Sequence, residues 1–122
     1  MRNYKNYEVY LSAMTLAEEV YKITKHFPNE EKYGLTSQVR RAAVSIPSNI
    51  AEGASRSSEK EFARYLEVAL GSSFEVETQL SLACRFDYIK EVNLQSLSQK
   101  VQSIQKQLNG FRMKLTNKKD SK

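Results

Sequence analysis

The stretch from Phe62 to Ala83 constrains this chain most. Phe62, Leu66, Ala69, Ser73, Val76, Leu80 and Ala83 step by four and three in alternation. That spacing keeps one face of an α-helix for about six turns. A helix with one such stripe must bury it against other elements. Three further segments offer matching stripes. The first is Val9, Ala13, Leu16, Val20, Ile23 and Phe27; the second is Val39, Ala42 or Ala43, Ile46 and Ile50. The last is Leu94, Leu97, Val101, Ile104, Leu108, Phe111 and Leu115.

Breaks between the stripes are marked. Pro28 ends the first segment, and "PNEEKYG" reads as a loop. Thr36 or Ser37 is suited to cap the second, and Gly53 to stop it. Ser58 and Glu61 have the spacing of a capping box before the third, and Asn93 is suited to cap the fourth. The spacing predicts helices over about 6–27, 36–53, 58–87 and 93–116, with a frayed polar tail at 117–122. Short connections make an all-α, antiparallel up-down four-helix bundle the economical fold, as one domain over 1–122. Scarce glycine (4) and proline (2) argue against an all-β alternative. Pro47 lies inside the second helix, lacks an N–H and clashes with the carbonyl of Ala43, so a kink is expected there.

That second helix, "VRRAAVSIPSNIAEG", also carries a polar stripe of Gln38, Arg41, Ser45, Asn49 and Glu52. A solvent face usually holds more Lys and Glu and fewer Ser and Asn, which are poor helix formers. A ligand site is a second reading. A packed interface is favoured, because small and amide side chains let another helix come close, and Arg41 has Glu52 on its own face. Gly71, Ser72 and Ser73 form a thin patch on the third helix that suits close helix contact. The spacing leaves open whether these contacts lie within one subunit or between subunits.

The formal net charge is +5, a mild excess that suits an acidic partner such as RNA. Basic residues group twice. Arg40, Arg41, Arg56, Lys60 and Arg64 surround the second corner and are candidates for phosphate contact at one end of the bundle. Glu59, Glu61 and Glu67 lie close enough to neutralise much of that group. Arg112, Lys114, Lys118, Lys119 and Lys122 form a weaker, C-terminal group. The seven tyrosines either stack bases or, the favoured reading, pack at the bundle edge with their hydroxyls in water.

Catalytic and metal constellations are missing from the sequence. There is no phosphate-binding glycine loop and no nucleophile elbow. The lone His26 has Ile23, not Glu, three residues before it, so the di-iron pattern of helical bundles is not met. Glu75 and Glu77 are two apart and face different ways. The lone Cys84 excludes an intramolecular disulfide and weakly suggests a reducing compartment. No apolar run reaches the ~18 residues of a membrane span. The expectation is a cytoplasmic, non-enzymatic protein with no cofactor, no metal and no small-molecule substrate.

The motifs "YGLTSQVRRAAVSIPSNIAEG" (33–53), "KEFARYLEVALGSSFEVETQL" (60–80) and "AEEVYKITKHFPNEEKYGL" (17–35) resemble one known family. It is the family of four-helix-bundle proteins encoded in intervening sequences of bacterial 23S ribosomal RNA genes, often labelled ribosomal-protein-like. The resemblance runs from about Tyr7 to Phe111. These proteins are similar to the accessory proteins of diversity-generating retroelements, which form pentameric barrels and bind nucleic acid and a reverse transcriptase. The resemblance therefore implies a homopentamer, with the second and third helices as contact surfaces, and no catalytic residues. The combined expectation is an oligomer that binds RNA or a ribonucleoprotein through basic residues. The alternative is a structural or adaptor oligomer that binds protein partners only.

Overall fold

A computed structural model describes residues 2–120, with side chains through Asn117. Four α-helices follow one another: α1 (Glu8–Thr24), α2 (Leu35–Ala54), α3 (Glu59–Arg85) and α4 (Glu91–Asp120). Single 3₁₀ turns at Tyr4–Asn6 and Asn29–Glu31 precede α1 and α2, and no strand occurs among the described residues. The helices pack as a four-helix bundle. α2 on α3 and α3 on α4 are the broadest boundaries, α1 on α4 the narrowest, and the backbones of the diagonal pairs stay apart.

The stripes read from the sequence form one core. Leu16, Ile46, Ile50, Phe62, Leu66, Leu80, Ile104 and Leu108 are fully buried. Ile23, Leu94 and Phe111 are only half-buried and pack against its edge. Removing a large buried side chain such as Phe62 costs about 3–5 kcal/mol in cores of this kind. Phe62 also anchors one end, where Phe111 meets it edge-on, Tyr7 meets Phe111, and the Arg2 guanidinium lies 4.8 Å over the Phe62 ring.

The helix ends show where local chemistry departs from the sequence reading. Ser58 caps α3, its Oγ accepting the Glu61 N–H at 3.1 Å. Neither Thr36 nor Ser37 caps α2. Helix α2 starts one residue earlier, and the Glu31 carboxylate accepts the Leu35 N–H at 2.9 Å. Gly34 makes room for this, since a Cβ there would lie 2.7 Å from Glu31 Oε1. Asn93 does not cap α4 either. The Lys90 carbonyl accepts the N–H groups of Asn93 and Leu94, so the helix is already under way. At its far end α4 continues to Asp120, past the expected stop near 116. Asp87 ends α3 in the left-handed conformation, φ 64°. The Tyr88 N–H then reaches the Ala83 carbonyl and the Asp87 N–H the Cys84 carbonyl, the Schellman pattern with Asp in the position usually held by Gly.

Helix α2 continues through the buried Pro47 to Ala54. Gly53 does not stop it. Gly53 is buried against α3, where a Cβ would fall 2.6 Å from Tyr65 Cβ and 2.9 Å from Phe62 Cδ1. The missing side chain lets α2 and α3 close on each other.

Candidate nucleic-acid interface

The first basic group divides into residues that are tied down and residues that are free. Arg40 is tied. Its Nε donates to Thr24 Oγ1 at 2.8 Å and its Nη2 to the Tyr21 carbonyl at 3.4 Å, and the guanidinium lies 4.5 Å over the Tyr21 ring. A cation at the C-terminal turn of α1 also suits that helix's dipole. Arg56 is tied too. Its Nη2 donates to Glu52 Oε2 at 3.1 Å and to Tyr65 Oη at 2.7 Å, with the guanidinium over the Tyr65 ring. Arg41, Lys60 and Arg64 are exposed and make no hydrogen bond or ion pair among the described residues.

The five do not gather at one end. Arg40 and Arg41 sit in the second turn of α2, while Arg56 follows its C-terminus, about 20 Å further along. Only Arg56, Lys60 and Arg64 share an end. The antiparallel course of α4 brings Arg112 and Lys114 to that same end, where Arg112 Nη1 donates to Glu67 Oε2 at 3.4 Å and Nη2 to Asn109 Oδ1 at 2.8 Å. The side chains of Lys118, Lys119 and Lys122 lie outside the described residues. Arg2, which the sequence reading did not single out, belongs here as well. Its guanidinium donates to the carbonyls of Ala54 and Arg56, closing the C-terminal end of α2 from 52 residues away.

The polar stripe of α2 faces α3, and its middle is bonded within the chain. Ser45 Oγ and Ser72 Oγ are 2.8 Å apart. Asn49 Nδ2 donates to the Ser45 carbonyl at 2.8 Å and to Ser45 Oγ at 2.9 Å. Glu52 takes Arg56 and Tyr65, not Arg41. Gln38 and Arg41 end in solvent. Of the small-residue patch, Ser72 and Ser73 are buried against neighbouring helices. Gly71 is exposed, and a Cβ there would meet nothing within 4 Å. Inside the chain, close approach therefore falls on Gly53.

Most tyrosines pack at the bundle edge. Tyr4, Tyr7, Tyr10 and Tyr88 lie against the core, whereas Tyr21 and Tyr33 are exposed. Tyr88 joins the two loops at the opposite end, its hydroxyl donating to Glu31 Oε2 at 2.8 Å. The Leu35 N–H, and then this hydroxyl, hold the Glu31 carboxyl below its ordinary range, and the same bond raises Tyr88. An apolar groove of about 580 Å³ runs between α1 and α2, lined by Tyr10, Met14, Tyr21, Val44, Pro47 and Ala51 among others. Among the described residues no group of three His, Cys, Asp or Glu side chains is placed to hold a metal ion. No helix among them is long and apolar enough to cross a membrane.

Comparison with known proteins follows the same lines. The family described as 23S rRNA-intervening sequence protein matches residues 5–110. Among solved structures, the fold is similar to a crystal structure from Bacteroides thetaiotaomicron, described as a protein of unknown function from the S23 ribosomal protein family. The two superpose with a TM-score of 0.80 at 27% identity, over 86% of this chain and 95% of that one. No curated protein matches.

Proposed function

The chain belongs to the 23S rRNA-intervening sequence protein family, and from that premise we propose that it is a non-enzymatic, cytoplasmic, oligomeric bundle that binds RNA or a ribonucleoprotein through exposed cations. The observation that supports this most is a set of exposed cations that make no hydrogen bond or ion pair among the described residues, Arg41, Lys60 and Arg64 on α2 and α3 and Lys106 and Lys114 on α4, while Arg40 and Arg56 are held internally. Free guanidinium and ammonium groups are what phosphate contacts require. Self-association as a homopentamer follows the resemblance to retroelement accessory proteins. Gly71, the solvent-facing end of the polar stripe at Gln38 and Arg41, and the exposed Val68 and Phe74 are among the parts of α2 and α3 available for it.

A protein-only adaptor is the second reading, and the α1–α2 groove favours it, because Met14, Tyr21 and Val44 are each more than two-fifths exposed there. Fluorescence anisotropy with a labelled RNA separates the two. The RNA reading expects binding at about 50 mM salt that weakens steeply towards about 200 mM. No binding at the lower salt rejects it in favour of the adaptor. Light scattering tests assembly. The expected mass is five times that of the chain, reduced in Gly71→Leu; a monomeric mass for the unaltered protein rejects self-association.

A further inference from the structure

Positive charge is very unevenly distributed. Residues 1–91 carry twelve Lys and Arg against thirteen Asp and Glu, whereas residues 92–122 carry seven against one. Helix α4 has acids only at its two terminal residues, Glu91 and Asp120. Between them run Lys100, Lys106, Arg112 and Lys114 and a series of amides. A helix face that needs only solubility normally mixes Glu with Lys, since i, i+4 pairs stabilise it. The interior of α4 forgoes every such pair.

The three-dimensional setting makes this face a track. Lys106 stands on the outer ridge of α4 with Gln95, Gln99, Gln102 and Asn109, all exposed. Lys106 and Lys114 make no hydrogen bond or ion pair among the described residues. Along the boundary with α1, three grooves of about 340, 340 and 440 Å³ follow one another. Lys22, His26 and Lys100 line the first, Lys100 and Ser103 the second, and Gln107, Gly110 and Lys114 the third. Lys100 and Lys114 are about 21 Å apart along the helix. The acids of these grooves, Glu8 and Glu19, come from α1. Glu19 is matched by Lys100 in a partly exposed ion pair, a contact of a kind that stabilises little.

Resting on the RNA reading above, we propose that the outer face of α4 and the groove it shares with α1 form the surface on which an RNA strand lies. Lys100, Lys106 and Lys114 contact phosphates. Exposed amides such as Gln99 and the groove's Gln107 supply the neutral donors and acceptors that suit sugar hydroxyls and base edges. The interior of α4 adds no acid of its own to this face, and the acids that α3 sets beside it are occupied, Glu67 by Arg112 and Glu77 by the amides of Gln102 and Gln105.

The test compares two triple variants with equal charge loss by RNA anisotropy at several salt concentrations. Lys100, Lys106 and Lys114 all changed to Gln should raise Kd about tenfold or more at about 0.1 M salt and lower the salt slope by about 2. Arg41, Lys60 and Arg64 all changed to Gln should raise it about threefold or less, as charge loss off the main track. Equal losses in both, or a larger loss in the second, overturn the α4 assignment and leave the RNA reading standing. No binding by the unaltered protein defeats the RNA reading itself. Competition by polyglutamate as strong as by RNA overturns the assignment in favour of acidic proteins. All six substituted positions are exposed, and circular dichroism melts of both variants should stay close to that of the unaltered protein.

Discussion

The boundary between α2 and α3 and the boundary between α1 and α4 are built on opposite plans. The first is closed. Gly53 admits the backbone of α2 to Phe62 and Tyr65, Ser45 and Ser72 share a hydrogen bond, and Glu52, Arg56 and Tyr65 bind one another across the corner. The second is open. Grooves run along it, and its polar groups are lysines, hydroxyls, amides, His26 and the α1 acids Glu8 and Glu19. Unusual polar residues in a helix thus have two uses: where they find each other inside the chain they fix a packing geometry, and where they find no partner they stay available to another molecule.

The contrast can be broken from either side. The largest effect is expected at Gly53, where Val should destabilise by about 3 kcal/mol, because side-chain atoms would overlap both Phe62 and Tyr65. Urea unfolding measures this, and a loss below about 1 kcal/mol would show that α2 and α3 separate easily. Ser72→Ala should cost about 1 kcal/mol by removing the bond to Ser45. A neutral result would mean that Asn49 alone satisfies Ser45.

Gly71 is the converse of Gly53. Ala there meets nothing within the chain and should stabilise the helix by about 0.5–1 kcal/mol. A loss of stability instead would show that assembly fills this space.

The smallest effect is at the far end of the bundle, where Glu31 links both loops. Its carboxyl is held below the ordinary range by the Leu35 N–H and by Tyr88. A depressed acid stabilises the fold above the unfolded carboxylate pKa of about 4.3, and that contribution is lost as pH falls through the folded value. Glu31→Gln should therefore differ from the unaltered protein at neutral pH and converge with it in acid, as thermal melts from pH 7 to 3 would reveal. A difference that is the same at every pH would remove the carboxylate from the account.

The core was legible in the sequence because apolar period is a property of one helix at a time. Val20, Ile46, Leu66 and Val101 each followed from their own neighbours, and all are buried. Space between helices is not such a property. Gly53 and Gly71 look alike in sequence, and only the course of α3 past α2 shows which of them is crowded. Ser58 caps α3 as its spacing implies, but the start of α2 escaped for a related reason: Glu31 reaches Leu35 through a 3₁₀ turn that no capping pattern encodes. The first basic group was drawn from chain proximity around a corner, yet a helix of α2's length carries Arg41 far from Lys60. The charge asymmetry of α4 was countable from the start. It is a pattern of missing acids, and a search for clusters of cations passes over it.

Lysine labelling read by mass spectrometry, with and without bound RNA, tests the role of α4 most directly. The account predicts that RNA protects Lys100, Lys106 and Lys114 from acetylation, while Lys32 and Lys60, which lie off this face, react as before. Uniform protection, or protection centred on Lys60, would contradict it.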